Sequence, residues 1–143
     1  MTDQNINKYH NGKIYTIRSP HTDKYYIGST CNTLSKRFSQ HNCQFSSSKI
    51  IIDYGDAYIE LLENFKCENK NELNRREGEL IRTHKENIVN FLIAGRTKTE
   101  YYNDNKNIIL EKIKQYQNDN KNKIKERKRQ YYLKNNIIKD NII

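Results

Sequence analysis

The residues best suited to chemistry are two tyrosines in similar triplets, an arginine and a histidine four apart, and one acid on an apolar stripe. They are Tyr15 in Lys13-Ile14-Tyr15, Tyr26 in Tyr26-Ile27-Gly28, Arg37, His41 and Glu77. Glu77 poses the sharpest chemical question, because burying an uncompensated carboxylate costs several kcal/mol and the group therefore needs a partner. A salt bridge, for instance to Arg37, meets that need, and so does a metal ion; on the helix alone the salt bridge is the simpler account. Arg37 and His41, at i and i+4, project from one side of a helix, beside rather than opposite the apolar pair Leu34 and Phe38. The plainer role for both tyrosines is packing on a β-sheet.

The elements that must position these groups are legible from pattern. Residues 13–18 and 24–29 are rich in Ile, Tyr and Thr and flank the turn formers of "SPHTD", which predicts a β-hairpin. A turn centred between Pro20 and His21 sets Tyr15 opposite Tyr26 and Ile14 opposite Ile27, with Cβ atoms roughly 5 Å apart. The tyrosines then share one face of the sheet and the isoleucines the other. Thr33 can cap a helix carrying Leu34, Arg37, Phe38 and His41. Residues 57–65, "AYIELLENF", read as a third strand, although Glu60 and Glu63 leave helix open. A second helix spans 69–85, with Asn71 as a possible cap and Leu73, Leu80 and Ile81 on the stripe that includes Glu77. Gly78 weakens that helix by up to about 1 kcal/mol relative to alanine. "FLIAGR" closes the compact part, with Gly95 at its boundary.

The 143 residues allow one small domain plus an extension. The expected division is a leader over 1–11, a domain over 12–95 and a tail over 96–143. Charge is unevenly placed: residues 1–95 hold 13 basic and 11 acidic side chains, and 96–143 hold 13 and 6. The polyanion-binding excess therefore sits in the tail. Cys31, Cys43 and Cys67 have neither the number nor the spacing of a disulfide framework or a zinc site and read as free thiols. No apolar run reaches the roughly 18 residues of a membrane helix, and the N-terminus lacks a signal-peptide core. The expectation is a soluble intracellular protein.

The tail repeats with a 15-residue period: "YYNDNKNIILEKIKQ" at 101–115, "YQNDNKNKIKERKRQ" at 116–130 and a third start at 131. Tyr101, Tyr116 and Tyr131 correspond, as do Asn105, Asn120 and Asn135. No repeat has apolar residues enough for a core of its own, so the tail is an exposed helix, a series of short helices capped by asparagines, or disordered. As a helix each repeat advances roughly 22 Å, a step suited to following a nucleic-acid backbone. Lys114, Arg127 and Arg129 are candidate contacts.

Taken together these residues resemble the GIY-YIG nuclease domain. Its first triplet stands here as Lys13-Ile14-Tyr15, with Lys13 in place of glycine and Gly12 just before it, and its second as Tyr26-Ile27-Gly28. The L-x-x-R-x-x-x-H helix is Leu34, Arg37 and His41, and the R-E-x-x-x-I helix is Arg76, Glu77 and Ile81, followed by Asn90. The resemblance implies a small α/β (α+β) domain, a three-stranded antiparallel sheet flanked by helices, here with a helical or partly disordered C-terminal extension. It also implies Mg²⁺- or Mn²⁺-dependent hydrolysis of DNA phosphodiester bonds. By that resemblance Tyr15 helps activate water, Tyr26 bonds the nucleophile or phosphate, Arg37 neutralises phosphoryl charge and Glu77 binds the metal. His41 assists proton transfer or holds phosphate, Asn90 supports the site or contacts DNA, and Lys13 adds positive charge. An unperturbed tyrosine, with pKa about 10, is a poor base at neutral pH, so Arg37, Lys13 or the metal is expected to bring Tyr15 down. Tyr/Asn/Lys tails of this kind resemble those of homing, mobile-element and large-virus members. The alternative is a catalytically weak or inactive DNA-binding module of the same fold.

Overall fold

The computed structural model describes residues 6–140. Residues 1–5 of the expected leader and 141–143 of the expected tail lie outside that range. The chain divides into two compact units, Met1–Arg96 and Thr97–Ile143.

The first unit is built on a three-stranded antiparallel sheet in the order β2-β1-β3, with β1 at Lys13–Ser19, β2 at Thr22–Thr30 and β3 at Tyr58–Asn64. The central strand β1 is covered on both faces, and Ile14, Tyr15, Thr16 and Ile17 are all buried. The period-two alternation separates two cores. On one face Ile14, Tyr25 and Ile27 pack with Leu73 and Ile81 of α3 (Lys70–Thr83). On the other Tyr15 and Ile17 pack with Ile51 of the short helix α2 (Lys49–Ile52), beside Tyr26 and the Leu34 and Phe38 of α1 (Leu34–Cys43). The site helices α1 and α3 thus approach the sheet from opposite faces.

The hairpin is real, but its register is not the symmetric one. Ser19 pairs with Thr22 across Pro20 and His21, as the turn residues predict; beyond it the pairing shifts, so that Ile17 faces Tyr26 and Tyr15 faces Gly28, not Tyr26. Between those pairs β1 spends only Arg18 while β2 spends Asp23, Lys24 and Tyr25, an irregularity that advances the register by two. An even slip preserves face, so both tyrosines still share one side and Ile14 and Ile27 the other.

The ambiguous 57–65 segment is a strand. Its acids are tolerated because β3 is an edge strand with mostly exposed side chains, and Glu60 and Glu63 pair with Arg18 and Arg76. Thr33 caps α1 as expected, accepting from the Lys36 N–H. The cap of α3 is Asn69, not Asn71: only Asn69 has extended backbone outside the helix, and its side chain accepts from the Glu72 N–H. Gly78 is a point of close approach, since a Cβ there would run into the Ala94 carbonyl. The cysteines are free, with Cys67 buried.

The second unit is helical. α4 (Lys98–Asp119) opens with a capping box between Thr97 and Glu100, and α5 (Lys121–Asp140) follows a break at Asn120. The repeat has a structural echo: the side-chain amides of Asn105 and Asn120 donate to the Tyr101 and Tyr116 carbonyls, each four residues back. No described helix is long and apolar enough to cross a membrane.

Candidate active site

Gly28 makes the site possible. Its partner across the strands is Tyr15, and a Cβ at position 28 would lie 2.5 Å from the Tyr15 Oη and 2.8 Å from Tyr26 Cε1. With no side chain there, the Tyr15 phenol lies over the strand and meets α1. Arg37 Nε donates to Tyr15 Oη at 2.8 Å, and His41 Nε2 lies 2.7 Å from the same oxygen. The i, i+4 spacing on α1 is what lets the two side chains converge on one atom. Tyr26 stands next to them, its ring 6.5 Å from that of Tyr15 and edge-on to His41 at 5.2 Å.

Arg37 is half-buried. Its Nη1 donates to Gln40 at 3.2 Å, and among the described residues its Nη2 takes no protein partner. His41 is almost wholly buried, and its second ring nitrogen is 2.7 Å from Ser48 Oγ, which in turn is 2.6 Å from Ser46 Oγ.

Glu77 reaches the other side of β2 from α3. Its carboxylate accepts from the Ser29 hydroxyl at 2.5 Å, not from Arg37, so the salt bridge expected between them is replaced by a neutral donor. Arg37 is committed to Tyr15 and Gln40 on the opposite face. Asn90 clasps the outer edge of β2: its Oδ1 accepts from the Ile27 N–H at 2.9 Å and its Nδ2 donates to the Ile27 carbonyl at 2.8 Å. It extends the backbone bonds that tie residues 87–89 to Tyr25. Lys13 turns away, its ammonium bonded to the Asn11 carbonyl. Lys114, Arg127 and Arg129 are exposed on α4 and α5 of the second unit.

Burial governs the electrostatics. It pushes the Tyr15 phenol well above its ordinary range, with Tyr26 adding to the rise and Arg37 opposing it. The protein's own positive neighbours therefore do not bring Tyr15 down, contrary to the expectation for Arg37 and Lys13. Arg37 does act in that direction, but loss of water around a fully enclosed phenol outweighs it, and Lys13 is occupied elsewhere. Tyr26 is raised to about 12 by burial and then by Glu77. Burial, followed by the Arg37 charge, lowers His41 to about 4, so its ring is neutral at neutral pH. Glu77 is raised by burial, against the Ser29 bond and Arg37.

No group of three or more His, Cys, Asp or Glu that could hold a metal occurs among the described residues. A single carboxylate nonetheless fits Mg²⁺, which keeps most of its water shell and takes one or two carboxylates plus substrate phosphates. Glu77 has the character of such a ligand: burial disfavours its lone charge, and its protein bond comes from a neutral hydroxyl.

Sequence reading missed Ser29, Gln40, Ser46 and Ser48. Ser29 directly follows the second triplet and Ser48 lies in the serine run at 46–48, but nothing in one dimension pairs either with its partner. A family model described as the GIY-YIG catalytic domain matches residues 11–90, whereas no curated protein and no solved structure matches the chain.

Proposed function

Because the chain belongs to the GIY-YIG catalytic-domain family, a family of nucleases, we propose that it is a divalent-metal-dependent DNA endonuclease that hydrolyses phosphodiester bonds at this site. The observation that carries the reading is the convergence of Arg37 Nε and His41 Nε2 on the Tyr15 oxygen over a side-chain-free Gly28.

In this reading Arg37 meets the phosphoryl oxygens with its unpartnered Nη2, a planar donor suited to charge that grows in the transition state. Tyr26, half-buried and neutral far above physiological pH, donates to the phosphate or holds the nucleophile. Tyr15 is fully buried, and phosphate drawing Arg37 outward opens its oxygen to water. Its own ionisation is too costly for it to wait as a phenolate. It therefore takes a proton from the attacking water only as it passes its phenolic proton to His41 Nε2, and the neutral imidazole is ready to receive it. Glu77 would hold a Mg²⁺ or Mn²⁺, which would supply Lewis-acid charge stabilisation to phosphoryl transfer. Asn90 keeps the edge of β2 in place beneath Tyr26. Residues 12–95 cut, and the tail over 96–143, with Lys114, Arg127 and Arg129, adds affinity for the DNA backbone. The basic repeat tail supports a homing, mobile-element or large-virus type.

The complete burial of Tyr15 favours a second reading, a catalytically weak or inactive DNA-binding module. Cleavage of supercoiled plasmid with and without Mg²⁺, beside Glu77→Ala, separates the two. The nuclease reading expects metal-dependent nicking or linearisation that Glu77→Ala loses while still binding DNA. Binding without scission by the folded wild type supports the module, and cleavage retained by Glu77→Ala removes that residue from the site.

A further inference from the structure

The hydrogen-bond chain behind Tyr15 has a direction, and that direction gives a role to a residue outside the family motifs. An arginine Nε–H can only donate, so the Tyr15 oxygen is an acceptor toward Arg37. The phenolic proton must then point elsewhere, and with Tyr15 at 0% exposure its other hydrogen-bond partner among the described residues is His41 Nε2. If Nε2 carried the ring proton, the phenol O–H would be buried without an acceptor, which is unfavourable. The neutral ring therefore carries its proton on Nδ1, which donates to Ser48 Oγ at 2.7 Å, and Ser48 Oγ is in turn hydrogen-bonded to Ser46 Oγ at 2.6 Å.

Ser48 is placed for this task. It flanks the N-terminus of α2 with helical backbone, and its side chain makes no capping bond. It is 0% exposed, and α2 is anchored under the site by Ile51, which packs against Tyr15 and Ile17. A fully buried hydroxyl 2.7 Å from a histidine ring nitrogen is an acceptor positioned for that ring.

We propose that Ser48 is a positioning residue for the nuclease reaction: its hydroxyl fixes His41 as the Nδ1–H tautomer, so that the Nε2 lone pair faces the Tyr15 phenol. On proton transfer the phenolic proton moves to Nε2 while Nδ1–H stays bonded to Ser48, and Tyr15 is made neutral again by the proton of the attacking water. The role in catalysis rests on the nuclease reading; the tautomer does not.

The test uses the full chain and two readouts. Ring ¹⁵N chemical shifts of His41 report the tautomer without any substrate, and plasmid cleavage reports the reaction. The variants are Ser48→Ala, Ser48→Thr as the hydroxyl-keeping control, and Ser46→Ala/Ser48→Ala, because Ser46 lies 3.4 Å from Nδ1 and can take over as acceptor. The wild type is expected to hold Nδ1–H, the double variant to lose that preference, and kcat to fall roughly tenfold with KM nearly unchanged. Ser48→Thr is expected to restore both where it folds. An Nε2–H ring in the wild type overturns the proposal, and so does an Nδ1–H ring kept by the folded double variant, or an unchanged kcat in a folded double variant whose tautomer has shifted. A tautomer that responds as expected in a wild type unable to cut DNA overturns the nuclease reading and leaves the control of His41 by Ser48 standing.

Discussion

Gly28 and His41 carry the residue-scale predictions. Tyr15 cannot retreat from a Cβ at position 28, because its face of the sheet is filled by Ile17 and Ile51 and its oxygen is held from two sides. Gly28→Ala is expected to cost about 1–3 kcal/mol in urea unfolding, the usual penalty for overpacking, and to lower cleavage along with it. For His41 the sign follows from its lowered pKa of about 4 against an ordinary 6.5. Between those values the unfolded chain binds more protons than the folded one, so the stability gained from a neutral His41 is complete above pH 6.5 and lost as pH falls toward 4. Denaturant midpoints across that window should fall for the wild type and flatten for His41→Gln. A slope that survives the substitution assigns the acid sensitivity to other groups.

At the scale of elements, β2 has β1 on one side and the 87–90 segment on the other, and Asn90 is the clasp. Its two bonds satisfy both backbone groups of Ile27, a residue at 0% exposure. Asn90→Ala leaves those groups unpaired and is expected to destabilise the unit by about 1–3 kcal/mol. Hydrogen exchange at the Ile27 amide should quicken more than at the inner amides of β1, which stay paired in the sheet. Equal protection in the variant and the wild type would show that the edge is held by Tyr25, Asn87 and Val89 alone. The hairpin behaves in a related way: its turn was visible in the residue types, but its register was not, because the irregularity beyond Ser19 depends on what β2 packs against.

For the whole molecule, the question is how charge is shared between the units. The C-terminal 48 residues hold 13 basic and 6 acidic side chains, and Lys114, Arg127 and Arg129 are exposed on their helices. Replacing these three by glutamine should lower the slope of log K against log salt by up to about 0.9 for each phosphate that is no longer neutralised. Cleavage at saturating DNA should not change. An unaltered slope by fluorescence anisotropy would remove these three residues from the interface.

The sequence by itself determined the hairpin, the helices α1 and α3 and the motif side chains of the site, because period, capping and turn chemistry act over a few residues. It also determined which face each tyrosine takes, since a two-residue slip leaves the parity of a strand intact. Only the tertiary structure decided the rest. The pairing of Tyr15 with Gly28, the Ser29 bond to Glu77 and the Ser48 bond to His41 join positions that no local rule connects. The rise of Tyr15 belongs to the same class, because burial sums over every element packed around the ring, and that sum exceeds the one charge the sequence made visible.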